Sequence, residues 1–146
     1  MPTTLSFLGA AGTVTGSKYL LSTPQGKLMI DCGLFQGYKA LRSRNWERLP
    51  IKARDVDAVV LTHAHLDHSG YAPLLIRNGF RGTFHSTTAT RELCRLLLPD
   101  SAHLQEEDAA YANRHGFSRH APALPLYAMN DALQALAHFE AHTYGR

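Results

Sequence analysis

Residues Thr62-His63-Ala64-His65-Leu66-Asp67-His68 follow the apolar run Asp57-Ala58-Val59-Val60-Leu61-Thr62, and the two together decide how the chain is read. The run has the continuous apolar character of a strand, Asp57–Thr62, covered on both faces. His63 and His65 are two residues apart, which in an extended segment puts both imidazoles on one side. Asp67 and His68 come next, in a turn entering a helix. Four potential metal ligands therefore gather at the C-terminal end of a buried strand, where open α/β sheets place their sites. Imidazole nitrogen and carboxylate oxygen suit zinc, and iron or manganese less selectively. The spacing divides into two pairs, His63 with His65 and Asp67 with His68. Two metals about 3.5–4 Å apart can clamp a phosphoryl or acyl oxygen.

Upstream, three strands are expected at Leu5–Leu8, Lys18–Ser22 and Lys27–Cys32, the last two forming a hairpin across Pro24-Gln25-Gly26. Residues 34–52 read as irregular. Downstream, helices are expected over Ser69–Asn78, Ala89–Leu98, Ser101–Arg114 and Ala132–His142, with a strand at Gly82–Ser86 and an extended segment at Ala121–Tyr127. Gly79 ends the first helix, and Thr87 or Thr88 caps the second. Strands first, then strand and helix in alternation, indicate α/β layers.

The 146 residues amount to one domain. Hydrophobic residues make up 45% and charged residues 18%, which is globular composition. Two separated cysteines, Cys32 and Cys94, exclude a disulfide framework and point to a reducing cytoplasm. No apolar run reaches the roughly 20 residues of a membrane span, and MPTTLSFLGAAG lacks the basic start of a signal peptide. Up to Arg54 the chain carries eight basic residues against Asp31 and Glu47. Lys39–Arg54, with Tyr38 and Trp46, is a basic aromatic stretch, read first as a solvated loop and second as a track for a phosphate backbone. Gly9–Lys18, GAAGTVTGSK, fails the phosphate-loop pattern and reads as a turn between strands whose glycines permit unusual φ or close approach. Leu93, Leu96 and Leu97 are expected in the core, Glu106, Glu107 and Asp108 on a solvated helix face, and Cys94 as a buried thiol. His85 and Thr87 end a strand beside the cluster, where a structural role for His85 outweighs direct ligation.

THAHLDHSG, residues 62–70, resembles the HxHxDH motif of the metallo-β-lactamase superfamily. GAAGTVTGSKYLL (9–21), IDCGLFQG (30–37) and PALPLY (122–127) resemble its RNA-processing branch, the β-CASP RNases, and the likeness runs from Phe7 to about Tyr144. The resemblance implies an αββα sandwich, two zinc ions and hydrolysis of RNA phosphodiester bonds. By the match His63 and His65 hold the first zinc and Asp67 and His68 the second. Asp67 is also the catalytic carboxylate that orients the attacking water, and Asp31 orders the centre by hydrogen bonding. The family's further histidine, bridging aspartate, late histidine and β-CASP insertion match no segment of residues 1–146. The chain is therefore expected to be the N-terminal, incomplete part of the fold, with apolar surface left open to self-association. Whether it is an enzyme by itself stays open. The alternatives are a non-catalytic fragment or interaction module, and a hydrolase of small esters or thioesters.

Overall fold

The structure, a computed structural model, describes residues 1–145. Arg146, the last residue of the expected domain, lies outside them. Six strands form one sheet in the order of the sequence: β1 (Thr4–Gly9), β2 (Lys18–Thr23), β3 (Gly26–Ile30), β4 (Ala58–Val60), β5 (Thr83–Thr87) and β6 (Phe139–His142). β1, β2 and β3 are antiparallel neighbours, and β4, β5 and β6 then add in parallel. The parallel additions require crossovers, which the helices supply. They are α1 (Lys39–Ser43), α2 (Leu66–Ser69), α3 (Ala72–Arg77), α4 (Thr88–His115) and α5 (Met129–Ala137). Among the described residues no helix is long and apolar enough to cross a membrane.

Several expectations change. The helices expected on either side of Pro99 are one helix, α4, with Pro99 inside it. A proline in a helix interior removes one hydrogen bond and costs about 3 kcal/mol. Here one continuous helical face, Thr90, Cys94, Leu98, Ala102 and Ala109, is buried on both sides of Pro99 and holds the helix together. That same phase turns Leu93 and Leu96 outward, 52% and 71% exposed, so the core residues are Cys94 and Leu98 instead. The last helix ends at Ala137 rather than His142, and Phe139–His142 is a strand. Phe139 stacks on Phe84, with ring centroids 5.2 Å apart, and this contact draws the segment into the sheet edge. Smaller differences concern bounds. The Ser69–Asn78 helix is divided into α2 and α3 at Gly70 and Tyr71, a short helix interrupts residues 34–52, and 121–127 forms no regular element. Glu106 is half-buried and accepts a hydrogen bond from the Met129 amide at 3.1 Å, so it leaves the solvated face on which Glu107 and Asp108 stand.

The pairing register sorts the strands into rows. Leu20, Met29, Val59, Phe84 and Phe139 are successive partners across the sheet and face the helices, with Met29, Val59 and Phe84 fully buried. The neighbouring row, Phe7, Tyr19, Ile30, Val60, His85 and Glu140, lies on the opposite face. Among the described residues no layer covers that face: Phe7 is 62% exposed and Val60 38%. The expected burial of the β4 strand on both faces is therefore corrected to burial on one. Leu5, Leu21 and Leu28 extend the open row into an apolar patch. Exposed apolar surface of this kind binds apolar partners. The purified chain is expected to bind a hydrophobic dye and to associate as its concentration rises, and Phe7→Glu is expected to reduce both. Dye fluorescence and sedimentation velocity check this, and a dye-silent monomer would count against it.

Candidate metal centre

β3 and β4 run side by side and end together, so the residues that follow them are brought into contact. Asp31 is the first residue beyond β3, and its amide donates to the Val60 carbonyl at 2.9 Å. Its backbone has φ +60°, a left-handed conformation that aspartate tolerates better than most residues. The turn aims its carboxylate sideways at the end of β4, where it is almost fully buried. Oδ1 accepts the Thr62 amide at 2.8 Å. The Thr62 hydroxyl lies 3.0 Å from Oδ1 and 2.9 Å from Oδ2. Oδ2 also lies 2.8 Å from His68 Nδ1 and 3.5 Å from Ser17 Oγ.

These partners fix two tautomers. A carboxylate only accepts, so His68 Nδ1 carries the proton and donates it to Asp31. The single hydroxyl hydrogen of Thr62 goes to Asp31, so His63 Nδ1, 2.9 Å from Thr62 Oγ1, is also a donor. Both imidazoles, when neutral, are left with a lone pair on Nε2, the atom a metal takes. The His63 ring lies 4.8 Å from that of His65 and 4.1 Å from that of His68, centroid to centroid. His68 Nε2 is 3.5 Å from Asp67 Oδ2. His63, His65, Asp67 and His68 are thus neighbours, with Asp31 behind them. They stand as adjoining pairs, since no three of them bring their ligand atoms within 4.8 Å of one another.

The loop is pinned from below. Cys32 N donates to the His68 carbonyl at 2.7 Å, Leu34 N to Leu66 at 2.9 Å, and Ser17 N to Asp67 at 2.9 Å. A Cβ on Gly33 would overlap the Asp67 carbonyl, so only glycine lets these strands of backbone meet. The turn at residues 10–17 joins two strands and no helix, which removes the architecture of a phosphate loop. It does touch the cluster, through Ser17. Gly16, at φ +79°, faces the Phe35 ring, which would collide with any Cβ there.

Thr62, Ser17 and Lys18 escaped the sequence reading because each acts through non-local contacts. Lys18 is 1% exposed, with Nζ 4.4 Å above the Phe35 ring and 4.7 Å from that of Tyr71. Nζ donates to the Gly16 carbonyl at a long 3.4 Å. Burial lowers its pKa from 10.5 to about 8, the Cys32 site opposes that, and Arg44 adds to the lowering. Burial likewise raises Cys32 to about 12 and Cys94 to about 11, which keeps both thiols protonated and inert. Thr87 caps α4 through the Thr90 amide at 3.3 Å. Among the described residues no hydrogen bond or ring contact joins His85 to the cluster. A depression of about 620 Å³ is lined by Arg48, Lys52 and Arg54 on the basic stretch and involves none of the four clustered residues.

The sequence profile of the Metallo-beta-lactamase superfamily matches residues 11–128. The chain belongs to the metallo-beta-lactamase superfamily. It is 36% identical over 137 residues to Ribonuclease TTHA0252 of Thermus thermophilus, covering 94% of this chain and 27% of that protein. It is 38% identical over 135 residues to Transcription termination factor FttA of Cenarchaeum symbiosum, covering 87% of this chain and 21% of that one. The chain thus spans about a quarter of the length of these relatives, which are β-CASP RNases matched in their N-terminal portion. Among solved structures, MEM-A1, a subclass B3 metallo-beta-lactamase from a soil metagenome library, superposes with a TM-score of 0.51 at 21% identity. The match covers 97% of this chain and 44% of that one. That likeness concerns the fold alone, and it agrees with a partial domain of the superfamily's α/β architecture. The superfamily typically binds divalent metals such as zinc.

Two outcomes follow from this geometry. Asp31→Asn would present an amide hydrogen to His68 Nδ1, so His68 is expected to move its proton to Nε2. Long-range ¹⁵N–¹H couplings report the tautomer, and an unchanged pattern would contradict the assigned hydrogen bond. Lys18 supplies the second. Between pH 8 and 10.5 the folded chain has released the Lys18 proton and the unfolded chain still holds it, so this group makes stability rise with pH. The interval corresponds to about 3 kcal/mol. The stability difference between Lys18→Met and wild type, from urea unfolding, is expected to move in favour of wild type by on the order of that amount over this range. A difference independent of pH would mean that Lys18 stays charged in the fold.

Proposed function

We propose that these residues are the N-terminal part of the catalytic domain of a zinc-dependent hydrolase that cleaves RNA phosphodiester bonds. In this reading His63 and His65 hold one zinc and Asp67 and His68 the other, with iron or manganese as weaker fits to the same donors. The observation that carries the reading is the pair of Nδ1 contacts, His68 to Asp31 and His63 to Thr62, from which the Nε2 lone pairs of both rings follow as available. The names of the relatives, a ribonuclease and a transcription termination factor, supply RNA as the substrate class.

Bound zinc would supply a water of lowered pKa and positive charge for the developing phosphoryl oxyanion. Asp67 would orient the attacking water and accept its proton. Asp31 holds His68 in the ligating tautomer and orientation. Thr62 does the same for His63 while anchored to Asp31 itself. Two donors per zinc fall short of the three that a catalytic zinc usually has, and the family's late histidine, the general acid of this reading, matches none of these residues.

The chain by itself is therefore expected to hold zinc only weakly at these four residues and to cleave RNA negligibly. A tightly held equivalent that disappears in His63→Ala/His65→Ala would overturn this. The reaction is tested with these residues carried in a protein of its relatives' length, given RNA and a thioester side by side. RNA cleavage abolished by chelation and by His63→Ala supports the reading. Thioester hydrolysis with RNA left intact would replace it by the small-ester alternative.

A further inference from the structure

The open row of the sheet ends in chemistry that the cluster does not use. His85 on β5 is the register partner of Glu140 on β6, and His142 follows two residues later, opposite Thr87. The period of two puts Glu140 and His142 on one face, and register puts His85 on the same face. His85 Nδ1 lies 2.9 Å from His142 Nε2, and His142 Nε2 lies 3.6 Å from Glu140 Oε1. Among the described residues this is the group of three donors whose ligand atoms all lie within 4.8 Å of one another.

We propose that His85, Glu140 and His142 form a zinc site separate from the His63–His68 cluster, with water in the fourth position. Two ligands held at about 2.0–2.1 Å on one tetrahedral zinc stand about 3.3 Å apart. The observed 2.9 Å and 3.6 Å fall on either side of that spacing, and the third pair, His85 with Glu140, lies within 4.8 Å, so modest side-chain rotations close the site. Two imidazoles and a carboxylate are a zinc donor set, and the carboxylate offsets one of the ion's two charges. The side chains of His142 and Glu140 are 52% and 61% exposed, so an ion enters from solvent without opening the fold. The three donors stand on paired strands, whose backbone is already fixed by the ladder. β6 is four residues long and lies at the sheet edge, and an ion shared with β5 would fasten it. The alternative is a plain hydrogen bond between two neutral imidazoles, and metal binding separates the two.

The test uses the 146-residue chain, stripped with chelator and titrated with cobalt(II), followed by zinc displacement and thermal melts. Wild type and His63→Ala/His65→Ala are expected to bind one cobalt with the visible spectrum of a tetrahedral site and equal affinity, and zinc is expected to raise the melting temperature of both. His142→Ala is expected to bind at least tenfold more weakly, since losing a ligand costs no less than the ~10–100-fold of losing one of its hydrogen-bonding partners. Glu140→Gln, an exposed isosteric change that leaves the fold intact, is expected to weaken binding as well. No binding by wild type, equal binding by His142→Ala and Glu140→Gln, or binding lost only in the His63→Ala/His65→Ala form would each overturn the proposal.

Discussion

The Asp31 carboxylate is the constraint on which the candidate centre depends. It sits at the end of β3 with positive φ, is 3% exposed, and engages Thr62, His68 and Ser17 from three separate segments. A carboxylate so far from water persists because most of its acceptor positions are filled. Its partners are in turn constrained. Thr62 can reach it only because β4 ends beside β3, and His68 only because the chain turns at Asp67 over Gly33. The ring orientations of His63 and His68 follow from these contacts.

A second layer of support lies under the first and is built around the Phe35 ring. Phe35 is held by Asn45, whose side chain makes 2.8 Å hydrogen bonds to both the amide and the carbonyl of Phe35. Phe35 then carries Lys18 at 4.4 Å and Arg44 at 4.2 Å from its ring centroid, and fills the space that Gly16 leaves. A buried ammonium on aromatic faces is partly compensated by cation–π attraction, while burial pushes the Lys18 pKa down. The glycine-rich turn thus serves packing: its small residues let Ser17 and Lys18 approach the loop that carries Asp67.

The two faces of the sheet differ in kind. One is sealed by α3, α4 and α5 around Met29, Val59, Phe84, Leu75 and Tyr127, all fully buried. The other presents a row from Phe7 to Glu140 that no layer covers among the described residues. Apolar character at the β1 end and donor atoms at the β6 end make this face chemically graded, which no single strand shows on its own.

Local patterns were enough to read several features from the sequence. The HxHxDH spacing, the hairpin at Pro24–Gly26, the apolar run of β4 and the carboxylate at Asp31 are each determined within a few residues, and so is the superfamily they resemble. Local pattern misleads at Pro99 and at Phe139–His142 for one reason. A proline argues for a helix end, and a short segment after a helix argues for its continuation, until packing against Leu98 and Phe84 overrides both. Three neighbouring leucines do not fix the rotation of a helix; the buried line of Cys94, Leu98 and Ala102 does, and it leaves Leu93 and Leu96 exposed. Register, the open face, the tautomers of His63 and His68, the burial of Lys18 and the meeting of His85 with His142 were decided by tertiary structure. Most depend on atoms from segments far apart in the chain, such as Ser17 with Asp31 and His85 with His142, whose proximity no local periodicity encodes.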